Sequence, residues 1–368
     1  MPPSAIASPA QVEQRRDALV ERILRSATSA MEVLGLYLGD QLGLYEAMAR
    51  GGPFTAAELA ARTGTAERYV REWLEHQAVS GILAVEDASA PAESRRYSLP
   101  AGHAEVLADS ESVNYMAPVG QLMAGLMAPL PSLLRAYRTG EGVPYAEYGK
   151  EMVDGQARMN RTAFLKQLGP EWLASIADLR QRLESQPPAR IADFGCGGGW
   201  SSIGMAQAFP NVLVDGLDLD EPSIALAREN AAKAGLSERV KFRVQDAASP
   251  ELAGQYDLVT ALECVHDMSN PVGALRAMRG LLKSGGMVFI MDERVAENFD
   301  PDAGLIEAFM YGCSVLHCLP VGLADTPSTG TGTVMRISTL ERYAREAGFT
   351  RFEVLPIEHP LFRFYRLQ

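Results

Sequence analysis

His266 and Asp267 stand side by side in ECVHDMSNP, directly after the apolar run YDLVTAL. Histidine is the side chain whose ordinary pKa lies near neutrality, so an imidazole at this place suits removal of a proton from a reacting hydroxyl. Asp292 and Glu293 close another apolar run, MVFIM, and either could orient that ring. Glu263, three residues before His266, is a further candidate, as a base or as a ligand contact. A second set of residues has the chemistry of a binding turn. In IADFGCGGGWSS, Asp193 precedes glycines at 195, 197 and 199, and glycine lets the backbone bend tightly and approach a ligand without Cβ clashes. Two later segments, VDGLDLDEPSIALAREN and FRVQDAAS, carry Asp218 with Leu219 and Asp246 with Ala247.

The turn excludes two common ligands. A dinucleotide fingerprint begun at Gly195 needs a small residue at 200, where Trp200 stands, and begun at Gly197 it needs one at 202, where Ser202 stands. No Gly-Lys-Ser/Thr follows, so it is not a nucleotide P-loop. An acid just before the glycines repels a pyrophosphate and favours a ligand with positive charge or hydroxyls. Farther on, Met310, Cys313, Ser314 and His317 share a helical stripe, and with Tyr145, Tyr148 and Met159 they are the material of a small-molecule pocket. STGTGT is a candidate lid. Cys313, His317 and Cys318 are metal-ligand types, but only two share a face and no fourth ligand is evident, so no metal is expected.

These residues need a frame that brings strand ends together. After SQPPAR, a linker, strands and helices alternate: 190–194, 201–209, 212–218, 222–234, 240–244, 256–262, 271–283 and 287–291. Apolar strands alternating with helices predict an α/β, Rossmann-like, doubly wound parallel sheet, which binds ligands beyond the carboxyl ends of its strands. Residues 101–186 read as a helical cap over the substrate site. The first hundred residues are mainly α: a long helical pattern with Met31, Leu34, Leu38 and Leu42 facing a buried side, then a helix begun by Thr55, a Thr63-Gly64 turn and a second helix from near Thr65. Segments 82–85 and 96–99 complete a winged helix. The expected domains are therefore 1–100, 101–186 and 187–368.

Composition narrows the function. At 368 residues, 47% hydrophobic and 22% charged, the chain has the make-up of a globular protein of more than one domain. Met1 to Ala10 lacks the basic end and apolar stretch of a secretory signal, no membrane span is flanked as such, and the four cysteines read as free thiols, so a cytoplasmic location is expected. The formal charge of −12 opposes nonspecific binding to nucleic acid or anionic membrane. In residues 1–100, ten arginines and no lysine stand against thirteen acids, a poor surface for phosphate.

DFGCGGG resembles the first motif of the class I S-adenosylmethionine-dependent methyltransferases, and the likeness extends over roughly residues 160–368. It implies that the turn of Asp193, Gly195, Gly197 and Gly199 cradles the methionine portion of S-adenosyl-L-methionine, with S-adenosyl-L-homocysteine as product. It also implies that Asp218 takes the ribose hydroxyls, with Leu219 beside it, and that Asp246 and the Ala247 backbone meet the adenine. LLKSGGMVFIMDE resembles that family's fifth strand. ECVHDMSNP resembles the His-Asp signature of the caffeate and hydroxyindole type of O-methyltransferases, which implies His266 as general base, oriented by Asp292 or Glu293. Met268 replaces the aromatic usual there. The expected acceptor is a hydroxyl or enol of a small apolar metabolite, with carbon or nitrogen methylation as the alternative. In those enzymes a similar winged helix interlocks two subunits, which implies a homodimer here in preference to a DNA-binding regulator.

Overall fold

The computed structural model describes residues 8–245 and 254–368. It divides into two compact units, Met1–Ala124 and Gly125–Gln368, so the helical stretch 101–186 is shared between them.

In the first unit, α1 (Pro9–Gln41) begins with a capping box in which Ser8 and Gln11 satisfy each other's backbone amides. The helix Ala56–Thr63 has the same device between Thr55 and Glu58 and ends at Gly64, whose φ of 69° supplies the left-handed cap. The second helix of the pair is Glu67–Val79, and β1 (Ala84–Val85) pairs antiparallel with β2 (Tyr97–Ser98) as a short wing. Leu44, Tyr45, Leu59, Trp73, Leu74 and Tyr97 form its core. The expected buried stripe of α1 is corrected here. Met31, Leu38 and Leu42 are about half exposed or more, and the buried residues are Gly35 and Gly39. A Cβ at Gly39 would fall 2.4 Å from Tyr45 and 2.5 Å from Trp73, so close approach of the backbone, not an apolar stripe, seats the helix.

The second unit holds a seven-stranded sheet. Its strands are β3 (Arg190–Phe194), β4 (Leu213–Asp218), β5 (Val240–Val244), β6 (Tyr256–Leu262), β7 (Leu282–Glu293), β8 (Phe352–Val354) and β9 (Phe362–Leu367), in the order β5-β4-β3-β6-β7-β9-β8. The first five run parallel, while β9 and β8 add antiparallel. All seven residues of β6 are buried, because helices cover both faces of the central strands. One core includes Ile191, Leu258 and Phe289 and the other Ala192, Val259 and Val288: alternate residues of the same strands feed opposite faces. The wholly parallel expectation omits β8 and β9. In FRFYRL the last four residues are all buried, including Arg366, which pairs with Asp178, because β9 lies between β7 and β8 and it is β8 that forms the edge.

The sequence reading expects no membrane span; among the described residues one helical run, Leu305–Gly322, is long and apolar enough to form one. Its Glu307, Met310, Ser314 and Cys318 are buried within the second unit, whereas Leu305, Ile306, Phe309 and Val315 are exposed.

Candidate active site

Parallel order and register bring the carboxyl ends of β3, β4, β6 and β7 into one row. Between β3 and the helix Trp200–Ala208, Gly195, Gly197 and Gly199 have φ of 62°, 50° and 79°, the left-handed region that side chains disfavour. The Gly195 and Cys196 amides donate to the Leu217 carbonyl at 2.9 and 3.3 Å, which ties the turn to β4. No side chain caps the helix that starts at Trp200, so its first amides remain available at the turn. The helix Gly149–Ala163 crosses above it: a Cβ on Gly198 would lie 2.7 Å from Ala157.

Asp193 is fully buried, and its carboxylate is held by three hydroxyls, Ser201 and Ser202 at 2.6 Å each and Thr260 at 2.7 Å. Burial raises its pKa, against the pull of those three donors. The acid therefore braces the turn from behind. Asp218 faces the other way. One oxygen accepts the Gly197 amide and the other the Asp220 amide, both at 2.9 Å, which leaves lone pairs on each for two further donors. Leu219 is 67% exposed beside it, an apolar surface at the strand end. Asp246 and Ala247 lie outside the described residues.

His266 is buried in a short 3-10 turn after β6. Its Nδ1 donates to Asp292 Oδ1 at 2.8 Å, and Glu293 Oε2 stands 2.9 Å from the same nitrogen. Both acids come from the end of β7, the neighbour of β6 in the sheet. On the opposite side Asp267 Oδ1 lies 3.1 Å from Nε2 but makes no hydrogen bond, so Nε2 keeps its bonding capacity. Spacing alone suggests no more than a turn for Asp267; only folding sets its carboxylate against the ring. Burial by itself lowers the imidazole pKa, but Asp292, Glu293 and Asp267 outweigh it and hold His266 well above the usual histidine range. Burial, together with Asp292, pushes Glu293 well above the carboxylate range, although His266 opposes it.

Two sets of ligand-type atoms lie within 4.8 Å of one another, His266 with Asp267 and Cys318, and His266 with Asp292 and Glu293. The trio considered from sequence, Cys313, His317 and Cys318, is not among them. His266 is common to both sets, with Asp267 at 3.1 Å from Nε2 and Asp292 and Glu293 at 2.8 and 2.9 Å from Nδ1.

Glu263 is the one non-glycine residue with positive φ among the described residues, at 55°. Its Oε2 accepts from Gln156 at 3.1 Å and from Asn160 at 3.3 Å, both on the helix that crosses the glycine turn, and its Oε1 is shut from solvent without a partner. Desolvation pushes it up to about 7.

The pocket residues divide. His317 is packed edge-on by Tyr148 at 4.6 Å and Tyr145 at 5.7 Å between ring centres, and Tyr148 donates to the Leu316 carbonyl at 2.7 Å. Burial lowers the His317 pKa, and its Nε2 is buried without a partner. Met310 is buried on the same helical run, Cys313 is half-buried, and Met159 lies half-buried one turn from Gln156. The STGTGT loop is docked on the site: Thr329 donates to the Ser269 carbonyl at 2.8 Å and Gly332 to that of His266 at 3.2 Å.

A family model described as a methyltransferase domain matches residues 186–337, and one described as an Rv2258c-like winged HTH domain matches 29–109. The chain is 32% identical over 179 residues to a ubiquinone biosynthesis O-methyltransferase of Pseudomonas aeruginosa, spanning 48% of this chain and 72% of that protein. A protein of the same name from Bordetella avium is 31% identical over 198 residues, 54% of this chain and 75% of its own length. Among solved structures the fold is similar to mitomycin 7-O-methyltransferase (TM-score 0.69, 19% identity, 97% and 99% of the two chains). It is also similar to human N-acetylserotonin methyltransferase solved with S-adenosylmethionine (TM-score 0.70, 15% identity, 95% and 97%).

Proposed function

Because this chain belongs to the S-adenosylmethionine-dependent methyltransferases, we propose that it methylates a hydroxyl or enol oxygen of a small, largely apolar acceptor, with His266 as general base. The observation that carries this reading is the buried imidazole at the end of β6, its Nδ1 held by Asp292 at 2.8 Å.

The residues fit the cofactor. Three left-handed glycines make a cradle without side chains, the Asp218 lone pairs suit two ribose hydroxyls, and exposed Leu219 offers an apolar face for a base. When bound, S-adenosylmethionine supplies an electrophilic methyl on a good leaving group, so the protein's work is alignment and proton removal. Nε2 of His266 accepts the acceptor's proton as the oxygen–methyl bond forms and the sulfur–methyl bond breaks, and the proton stays on the ring. Asp292 keeps Nδ1 as the donor and stabilises the imidazolium, with Glu293 beside it as a second acid. Tyr145, Tyr148, Met159, Met310, Cys313 and His317 supply walls of aromatic, thioether and neutral imidazole character, suited to a flat apolar acceptor.

The test is transfer of labelled methyl from S-adenosylmethionine to a panel of phenols and enols, with the methylated atom located by mass spectrometry. Since His266 is held protonated above its usual range, the rate constant kcat/KM should rise with pH through and beyond neutrality as the ring loses its proton. Methyl found only on carbon or nitrogen would overturn the assignment to oxygen.

The N-terminal module reads as a dimer clamp. Val20, Ile23 and Leu24 of α1 are exposed by 61, 59 and 66%, more apolar surface than a lone helix sustains in water. The arginines of the helix-turn-helix and wing are paired with acids: Arg68 with Glu72, Arg71 with Glu67 and Glu93, Arg95 with Glu75 and Arg96 with Glu58. Substituting Ile23 and Leu24 together by glutamate should convert a dimer to a monomer in sedimentation equilibrium. A wild-type chain that sediments as a monomer would remove the clamp.

A further inference from the structure

A cationic cofactor needs a buried anion, and the acid that precedes the glycines does not provide it. Three hydroxyls hold the inward-facing Asp193 carboxylate, two on one oxygen and one on the other. Asp218 is engaged by two backbone amides at the far side of the turn. Glu263 remains. Cys264, its neighbour, sits where a Cβ on Gly195 would meet it at 3.0 Å, so this loop abuts the turn. The helix that carries Gln156 and Asn160, the two amides on Glu263 Oε2, also carries Ala157, which packs on Gly198. Glu263 is thus placed against the cradle from two sides, with Oε1 unpartnered and shut from solvent. An isolated buried acceptor of this kind costs stability, and so does the positive φ of a non-glycine residue. Glycine would remove the second cost, yet the chain holds a carboxylate there.

The reaction geometry narrows what that carboxylate meets. The reacting oxygen must lie within hydrogen-bond reach of His266 Nε2, and the methyl about 3–3.5 Å from that oxygen, so the sulfur stands close to the loop that bears both residues. We propose that Glu263 is the counter-charge of the cofactor's sulfonium, through which the protein distinguishes S-adenosylmethionine from its uncharged thioether product and gives up a proton when the charged form binds.

This rests on the methyltransferase reading above and adds an electrostatic device to it. Two charged groups act on Glu263: His266 on its own loop, which lowers its pKa, and Asp292 from β7, which raises it. The helix Gly149–Ala163 presents the neutral amides of Gln156 and Asn160 to it. At about 7 the group is part protonated near neutral pH, and a cation beside it favours the charged form and expels the remainder. Methyl transfer removes the sulfonium charge, so the carboxylate can take up a proton again as the product forms.

The test is calorimetric titration of the full chain with S-adenosylmethionine and with S-adenosylhomocysteine, in two buffers of different ionisation enthalpy. Wild-type protein should release more protons with the sulfonium than with the thioether. Its preference for the sulfonium should grow from about pH 5.5 to about pH 8.5. Glu263→Gln, isosteric and unable to ionise, should abolish the difference in proton release and shift the ratio of the two dissociation constants at least about tenfold toward the thioether. An unchanged ratio in that variant overturns the proposal, as does a pH-independent ratio in wild type, which needs no variant to fold. Failure of wild type to bind either compound would instead overturn the methyltransferase reading itself.

Discussion

Replacing His266 by alanine should lower turnover at least about a hundredfold while leaving S-adenosylmethionine affinity within a factor of about three. The reason is separation of tasks. The imidazole lies at the end of β6 against Asp292 and Glu293, whereas the glycine turn, Asp218 and Leu219 lie on β3 and β4. Removing the ring also takes away the partner that Asp292, Glu293 and Asp267 share, so the variant should be less stable, since removing one member of a buried charged pair typically costs about 3–5 kcal/mol. Cofactor titration monitors folding in the same sample. Asp292→Asn should give a smaller loss, since the ring stays in place but its orientation and charge stabilisation weaken. Steady-state rates and cofactor dissociation constants measured together check both; an unaffected rate in His266→Ala would take that residue out of the mechanism.

Asp218→Ala should weaken cofactor binding about a hundredfold with little effect on the fold. A carboxylate that accepts two hydroxyls makes charge-assisted bonds worth about 1.5–3 kcal/mol each, and part of that is offset by water in the emptied space. The same substitution frees the Gly197 amide, which the carboxylate holds at 2.9 Å, so the turn loses a brace as well as a ligand. Asp218→Asn keeps the shape and loses the charge, and should fall between. Equilibrium titration with S-adenosylhomocysteine measures the loss without any need for an acceptor. Undiminished affinity would move the ribose away from β4.

Much of the site was legible before folding was known. Glycines at alternate positions between a strand and a helix announce a left-handed turn, and all three have positive φ. The strand ends carry the acids and the histidine where an α/β sheet places ligands, and β3, β5 and β6 start and stop where the residue pattern puts them. The antiparallel pair β8 and β9 was not legible, because the edge strand β8 is only three residues long and the interior strand FRFYRL is not alternately buried and exposed. Nor was the exposure of α1, since an apolar stripe looks the same whether its own chain or another copy covers it.

What the sequence determined by itself is local: where the backbone can bend, where helices are capped, and which residue types end each strand. These depend on neighbours a few positions away. Only the tertiary structure decided what each acid does. Asp193 turns inward to three hydroxyls, Asp218 outward, Asp267 closes on Nε2 of His266, and Glu263 meets amides more than a hundred residues earlier in the chain. A carboxylate's role is set by which donors and charges share its buried surroundings, and desolvation makes those few contacts decisive. Spacing along the chain carries no record of them.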